Sequence, residues 1–247
     1  MKTYLLFRLY GPMSAWGDIA VGEQRPSAGH PSKSAVLGLL AAALGLRRDE
    51  EEQHRSLAAG YAIAVRVDVA GELLRDYHTT QVPPERRGVR YYTRCDELAS
   101  DKLNTILSQR DYRMDASYGV AIWAKNDSVP WKLSALVSAL LRPQFTLYLG
   151  RKSCPPSLPL QPRIIEANTL KEAFDGLPEQ EGFLSDLPRG GRAGFYWESL
   201  SRDEAGFPDG GVHMVYNRRD QSLSRKRWQF AVREEHYFLE ATVEEQE

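Results

Sequence analysis

The sequence is poor in cysteine and in long apolar runs. Its 247 residues include two cysteines, Cys95 and Cys154, with no CxxC and no Cys/His pair at metal-ligand spacing. A disulfide framework is therefore excluded and a structural metal is not expected. No run approaches the roughly 18 apolar residues of a transmembrane helix. The start, MKTYLLFRLYGP, is broken by Arg8 and predicts a strand rather than a signal peptide.

Two nucleotide-loop patterns are also missing, GxGxxG and GxxxxGK followed by Ser or Thr. Their absence disfavours a nucleotide-cofactor site. The hydrophobic content of 42% and the charged content of 26% are those of an ordinary globular protein. We therefore expect a cytoplasmic protein with no cofactor, no metal and no membrane association.

The net charge of −1 conceals an uneven distribution of charge. Residues 128–165 contain five basic and no acidic side chains, and residues 1–48 contain six basic and two acidic ones. Residues 166–247 contain 17 acidic and 10 basic side chains. A basic half can face a polyanion while the acidic half faces elsewhere, and a solvated mosaic of charge is the alternative.

Hydrophobic periodicity predicts a β-α-β unit, a long insertion and a second β-α-β unit. The predicted strands are 3–10, 61–69, 117–124 and 144–149, and the predicted helices run from Ser32 to Leu44 and from Ser128, with Pro130 in its first turn, to Leu141. Without the insertion this order is the ferredoxin-like arrangement. The fold class is therefore α+β, with a ferredoxin-like (RRM-like) βαββαβ domain over 1–165 and a β-rich extension over 166–247.

The insertion between the second and third strands, residues 70–116, is long for a connection within a compact domain. Arginines and tyrosines are interleaved along it: Arg75, Tyr77, Arg86, Arg87, Arg90, Tyr91, Tyr92, Arg94, Arg110, Tyr112 and Arg113. Such a projecting segment suits single-stranded nucleic acid. In the extension, 169–174 predicts a short helix with a Thr169…Glu172 capping box, 176–211 predicts a loop, and 211–217 and 227–243 predict strands.

The stretch GRKSCP, residues 150–155, is a candidate phosphate site. Gly150 permits a turn whose N–H groups can bind an anion, and Arg151, Lys152 and Ser153 add two cations and a hydroxyl. A surface turn with incidental charge is the alternative. Cys154 as a nucleophile would need a base, and no histidine lies within 50 residues of it, so a buried thiol is the preferred interpretation.

The stretch RPSAGHPSKS, residues 25–34, is a second candidate. Arg25 precedes a helix whose first residues include Lys33 and Ser34, and a helix N-terminus with a nearby cation attracts phosphate. An ordinary capped helix is the alternative interpretation.

Three further stretches have one functional and one structural interpretation each. Met13 and Trp16, in the loop after the first strand, can stack against bases or pack on the core. Tyr77 and His78 can act as a general acid/base pair in metal-free RNA cleavage or form a structural pair at the base of the insertion. RKRWQF, residues 225–230, can be a second contact or a charge-protected edge strand.

Several of these stretches occur together in the order of one family. YLLFRLYGPMSAWG, RP…P-SKS…LGLLAAALG, LRDYHT, DASYGVAIW and YLGRKSCP resemble the CasD-type subunits of the type I-E CRISPR Cascade surveillance complex, in the RAMP superfamily. The resemblance covers about residues 1–160 well, and beyond them it is loose, centred on RWQFAVRE.

The resemblance implies a hairpin thumb within 70–116 and binding of the 5′ handle of the CRISPR RNA. It also implies contacts to the backbone subunit and the large PAM-reading subunit, with target DNA engaged only through the complex. The subunit is implied to be non-catalytic. The alternative is a metal-independent repeat endoribonuclease, kept open by Tyr77, His78 and His30. The residues implied to contact RNA are Met13, Trp16, Arg25, Lys33, Ser34, Tyr77, His78, Arg151, Lys152 and Ser153.

Overall fold

The computed structural model describes residues 1–85, 87–178, 182–187 and 193–240, which form a mixed α+β protein as the sequence predicts. The strands are β1 Lys2–Tyr10, β2 Met13–Ser14, β3 Gln24–Arg25, β4 Tyr61–Val69, β5 Glu72–Val82, β6 Asn104–Met114, β7 Ser117–Ala124, β8 Arg163–Ala167, β9 Gly194–Trp197, β10 Val212–Ser224 and β11 Gln229–Leu239. The helices are α1 Lys33–Leu44, α2 Glu51–Gly60, α3 Arg94–Leu98, α4 Leu133–Leu141, α5 Leu170–Asp175 and α6 Arg202–Ala205, with a 3₁₀ turn at Gly182–Leu184. Within the described ranges, no helix is long and apolar enough to span a membrane.

Seven of the described strands form the main sheet in the order β10-β11-β9-β4-β7-β1-β8, and every neighbouring pair is antiparallel. β4, β7 and β1 lie inside this sheet with apolar side chains on both faces. One face, with Phe7 and Val65, packs against α1, α2 and α4, and the other, with Tyr4 and Trp123, packs against α5 and α6. Burial of both faces explains why these strands are nearly continuous runs of apolar residues.

A second sheet projects from the first. β5 and β6 pair over eleven residues, from Glu72 opposite Met114 to Val82 opposite Asn104, so the predicted insertion is largely one long hairpin. The short strands β2 and β3 pair with the C-terminal part of β6, antiparallel and parallel respectively. The hairpin is thereby attached at its base to the segment between β1 and α1.

Several predicted elements are confirmed. Helix α1 has Ser32 as its N-cap, with the Ser32 hydroxyl accepting from the Ala35 amide, and Gly45 in the left-handed conformation as its C-cap. Strands β4 and β7 have the predicted bounds. In the capping box of α5, Thr169 accepts from the Glu172 amide as predicted, whereas the Glu172 carboxylate accepts from Asn168, one residue earlier than expected.

The predicted strand at 144–149 is wrong, and the strand beside β1 is β8, residues 163–167. The amides of Gln144 and Phe145 instead donate to the carbonyls of Ala43 and Ala42 at the end of α1. This segment therefore satisfies the free carbonyls of a helix rather than extending the sheet.

The predicted start of the second helix at Ser128 is also wrong. Helix α4 begins at Leu133, and Lys132 is its N-cap. Ser128 precedes the helix by five residues, and its amide donates to the side-chain oxygen of Asn126. In the extension, the predicted loop 176–211 contains β9 and α6.

The two predicted β-stretches of the extension correspond to β10 and β11, whereas residues 241–243 of the second stretch lie outside the described residues, as does Arg86 of the insertion. The division at residues 165 and 166 stays a prediction. Strand β8 spans that boundary, and β9, β10 and β11 continue the main sheet from the edge of β4.

Candidate nucleic-acid interface

The loop after β1 and the loop holding GRKSCP lie side by side. The Ala15 amide donates to the Leu149 carbonyl at 3.0 Å. Gly150 has a φ of +87°, and a Cβ at this position would lie 1.9 Å from the Ala15 carbonyl oxygen. Glycine is therefore required at residue 150 both by its conformation and by this close approach of two backbones.

Arg151 connects this pair of loops to the base of the hairpin. Its guanidinium donates to the carbonyls of Asp111 on β6 and Arg25 on β3, each at 3.0 Å. The same group lies over the Tyr112 ring, with Cζ 4.6 Å from the ring centroid. Arg151 is half-buried and holds its own loop against β3 and β6. A lysine has no planar guanidinium and could not make these contacts together.

The strand pairing places several cations on one face of the hairpin base. Arg25 pairs with Arg110, and the side chains of Arg110 and Tyr112 lie on the same face because they are two residues apart. Arg151 lies over that face at Tyr112, and His78, opposite Ser108, continues the face toward the hairpin tip. One carboxylate shares this face: Asp76 lies opposite Arg110 and 3.7 Å from His78. We call Arg25, Arg110, Arg151 and Lys152 the cationic strip.

Lys152 and Ser153 are exposed, and Met13 is half-buried beside Met114 of β6. Cys154, by contrast, is 1% exposed. Burial raises the pKa of the Cys154 thiol, so the thiolate needed for nucleophilic attack is disfavoured. The preferred interpretation of Cys154 as a packing residue agrees with this environment.

Trp16 lies in the core and not on a surface. Its side chain is 2% exposed and its ring meets Tyr118 edge-on, with centroids 5.5 Å apart. The packing alternative for Trp16 therefore describes the structure, because a buried ring presents no face to a base. We leave Trp16 out of the contact surface.

Lys33 is likewise internal, at 1% exposure. Its ammonium lies 2.6 Å from Glu198 Oε1, and the ammonium of Lys125 lies 3.7 Å from Glu198 Oε2. Burial lowers the pKa of Lys33 to about 8, against the opposing attraction of Glu198. Lys33 is paired within the fold and is not placed to contact phosphate.

The start of α1 has acceptors within the protein. The Lys33 amide donates to Asp220 Oδ2 at 2.7 Å, and Ser32 accepts from Ala35. The predicted phosphate position at this helix N-terminus is thus taken by the carboxylate of Asp220 from β10. Ser34 is half-buried, and its carbonyl accepts from Arg225 at 2.8 Å.

The residues that kept RNA cleavage open are not brought together. Tyr77 and His78 are adjacent on β5, so their side chains project from opposite faces of the hairpin. His30 is buried, its ring stacks on Tyr196 with centroids 3.6 Å apart, and its Nε2 lies 3.0 Å from Glu235 Oε2. Tyr77 is exposed on the face that carries Arg75. The geometry therefore supplies no shared acid/base pair from these three residues.

Arg110 is the residue that the sequence analysis left out of the candidate site. It was only one cation among many in the insertion, and it is half-buried beside Arg25 on β3. Its neighbour Asp111 is paired with Arg75, with Nε–Oδ1 at 2.9 Å, and this hydrogen bond lowers the pKa of Asp111. Because successive side chains on β6 point to opposite faces of the hairpin, Arg110 lies on the face opposite the Asp111–Arg75 ion pair. This period of two in the sequence was the signal that could have singled out Arg110.

The match to known proteins covers almost the whole chain. The model of the family described as CRISPR-associated protein (Cas_Cas5) matches residues 4–235. The chain belongs to the Cas5 family. The chain is also 33% identical over 243 residues to the "CRISPR system Cascade subunit CasD" of Escherichia coli (strain K12), covering 95% of each chain.

Two solved structures resemble this Cas5 chain. A chain of a "CRISPR RNA-guided surveillance complex" superimposes with a TM-score of 0.65 at 25% identity, covering 96% of this chain and 90% of that one. A "Crystal structure of Cas protein" superimposes with a TM-score of 0.60 at 30% identity, covering 94% of each. The resemblance noted in the sequence is therefore confirmed at the level of the family.

Proposed function

We propose that this Cas5 chain is a non-catalytic, RNA-binding subunit of a type I-E Cascade complex that holds the 5′ handle of the CRISPR RNA. The observation that carries the proposal is the cationic strip at the base of the β5–β6 hairpin. Guanidinium groups suit phosphates, and the neighbouring ring of Tyr112 is already occupied by Arg151. The strip is thus suited to a sugar–phosphate backbone more than to base reading.

The arrangement of the main sheet supports a ferredoxin-like core for this subunit. The strands β8, β1, β7 and β4 are neighbours in that order. Helices α1 and α2 lie in the connection from β1 to β4, and α4 lies in the connection from β7 to β8. The long hairpin leaves this core between β4 and β7, as a thumb would. In this proposal the cationic strip marks where RNA meets the thumb.

We assign the outer part of the hairpin to protein contacts. Ile106 and Leu107, near the tip, are 43% and 55% exposed, and Tyr77, halfway along the hairpin, is 69% exposed. Apolar side chains at this exposure suit a partner surface. The partners in this proposal are the backbone subunit and the large PAM-reading subunit, and target DNA is engaged through the assembled complex in the cytoplasm.

Affinity purification of the tagged chain from cells that carry the CRISPR locus tests the assignment. We expect a CRISPR RNA and several protein subunits to be recovered with it. Recovery of the chain alone, under conditions in which a tagged backbone subunit recovers the complex, would contradict the proposal.

The endoribonuclease alternative is tested with the same preparation. Because Tyr77, His78 and His30 are not assembled into a site, we expect repeat RNA to stay intact during incubation with the purified chain in EDTA. Cleavage that is lost in His78→Ala and retained in the control His54→Ala, at a half-buried histidine outside this group, would establish the alternative.

A further inference from the structure

The turn between β10 and β11 carries a dense group of cations around an exposed indole. Ser224 and Gln229 form the last strand pair, and the turn between them contains Arg225, Lys226, Arg227 and Trp228. Lys226, Arg227 and Trp228 are exposed, and Trp228 is 58% exposed. This segment is the RKRW part of RKRWQF, which the cationic strip does not include.

The turn is held against the helical layer by contacts that leave its tip outward. The Arg225 guanidinium donates to the Ser34 carbonyl at 2.8 Å, in the first turn of α1. The Glu51 carboxylate at the start of α2 accepts from the Lys226 amide at 3.0 Å and also from the Ser224 hydroxyl. These contacts use the backbone and one guanidinium, and they leave the side chains of Lys226 and Arg227 in solvent.

Arg48 adds a fourth cation to the turn. Its Cζ lies 4.2 Å from the centroid of the Trp228 ring, and its Nε donates to the Arg225 carbonyl at 3.3 Å. Burial, together with the charge of Arg48, lowers the pKa of Arg225. Within the described part of the chain, Arg48, Arg225, Lys226 and Arg227 form no ion pair with a carboxylate. The four cations therefore outnumber Glu51, the carboxylate that the turn binds through the Ser224 hydroxyl and the Lys226 amide.

The backbone of Trp228 makes its identity unusual. Its φ is +52°, in the left-handed region that glycine and asparagine prefer and that bulky side chains rarely occupy. At the last position of a hairpin turn, glycine is the residue that local structure favours. The turn itself does not require a large aromatic side chain at residue 228. A binding role for the Trp228 ring would explain its presence there.

We propose that the 225–228 turn, with Arg48, is a second binding site for a single-stranded polynucleotide. In this site a base stacks on the exposed part of the Trp228 ring, and Lys226 and Arg227 contact the adjoining phosphates, which is the combination used by proteins that bind single strands without sequence preference. The guide RNA and a DNA strand share this chemistry. The site stands on residues separate from the cationic strip.

Fluorescence anisotropy of the full-length chain with labelled 20-nucleotide oligouridylate and oligothymidylate tests the site. Lys226→Ala with Arg227→Ala should weaken binding to both probes and reduce the salt slope by about 1.4, since each phosphate contact to a single strand contributes roughly 0.7. The matched control is Arg142→Ala with Arg163→Ala, which removes two exposed cations elsewhere. An equal loss in the control, or no loss in the turn variant, would overturn the proposal.

Substitution of the ring separates stacking from charge. Trp228→Gly suits the left-handed backbone, so the hairpin should fold normally, as checked by thermal unfolding, while affinity for both probes falls at least about fivefold. Trp228→Phe, which keeps a ring, should recover most of that loss. Equal affinity in the glycine, phenylalanine and wild-type proteins would overturn the stacking role.

The purified RNA-loaded complex then identifies the source of the strand. Loss of guide RNA from the Lys226→Ala, Arg227→Ala complex after a salt wash would assign the site to the guide. Retained RNA with weakened binding of a matching DNA would assign it to a DNA strand. Normal binding of both, with loss of a protein subunit, would show that an acidic protein surface occupies the turn and would overturn the proposal.

Discussion

The guanidinium of Arg151 lies on the ring of Tyr112, with its Cζ 4.6 Å from the ring centroid. This contact, with the two hydrogen bonds to the carbonyls of Asp111 and Arg25, joins the GRKSCP loop to the hairpin. Arg151 is therefore both part of the cationic strip and a residue that positions the strip. Its substitution would not separate RNA contact from structure, whereas substitution of Lys152 does.

Arg151→Ala should lower the free energy of unfolding by about 1–3 kcal/mol, because two hydrogen bonds and a cation–π contact are lost. Arg151→Lys should restore little, since an ammonium cannot reproduce the planar fork. Urea unfolding gives the free energies, and amide exchange along β6 reports loosening of the hairpin base. The exposed Lys152→Ala should change stability by less than about 0.5 kcal/mol. A similar loss in Lys152→Ala would contradict the assigned role of Arg151.

Gly150→Ala should be far more destabilising than Gly88→Ala. Both glycines have left-handed backbones, with φ of +87° and +81°, so both substitutions add the same conformational strain of about 1–2 kcal/mol. Only at Gly150 does the new Cβ meet backbone, 1.9 Å from the Ala15 oxygen, whereas at Gly88 nothing lies within 4 Å. We expect a further loss of about 2 kcal/mol or more at Gly150. Equal losses by urea unfolding would show that the loops do not pack as described.

Acid should destabilise the contact between α1 and the extension. Burial lowers the pKa of His30 below the ordinary 6.5, so its protonation opposes folding as pH falls through that value. Burial raises the pKa of Glu235, but the hydrogen bond to His30 and the charges of Arg218 and Arg233 outweigh it, and the pKa lies well below 4.5. The stability given by Glu235 is therefore complete above pH 4.5 and is lost below it.

Unfolding free energies measured from pH 8 to pH 4 check this pH dependence. His30→Gln should flatten the decline around pH 6.5, and Glu235→Gln should cost about 3–5 kcal/mol at pH 7 because Arg218 and Arg233 lose a buried partner. The neighbouring exposed Glu234→Gln is the control and should behave as wild type. A profile of His30→Gln that matches wild type would contradict the account.

A thiol reagent should modify one cysteine in the native chain. Cys95 is exposed and should react, whereas Cys154 is buried and its pKa is raised by that burial. Two thiols should react in denaturant, and Cys95→Ser should leave the native chain unreactive. Rapid labelling of Cys154 in folded Cys95→Ser would reopen a nucleophilic role for that thiol.

Elements with strong local signals could be predicted from the sequence. Helix α1 has its Ser32 cap and Gly45 stop in the chain itself, and β4 and β7 are regular runs between turn residues. The run 144–149 has the composition of a strand, but the amides of Gln144 and Phe145 donate to carbonyls at the end of α1. That competition depends on the packing of α1 against α4, and a local pattern does not contain it.

The candidate site could be predicted only in part, for the same physical reason. The loop 150–153 and Arg25 do lie together, because Arg151 donates to the Arg25 carbonyl and β3 pairs with β6. The sequence predicted Lys33 as a phosphate ligand. In the structure its ammonium pairs with Glu198 and its amide donates to Asp220, and both carboxylates lie more than 160 positions away in the chain. A local sequence pattern cannot predict partners that are this distant in the chain.

The most direct test of the account is the affinity of the assembled complex and of the full-length chain for 5′-handle RNA when the strip loses charge. Arg110→Ala with Lys152→Ala should weaken handle binding and lower the salt slope by about 1.4, whereas the matched pair Arg142→Ala with Arg163→Ala should leave both unchanged. The same affinity and slope in the strip variant as in wild type, in the chain and in the complex, would contradict the assignment of this surface to RNA.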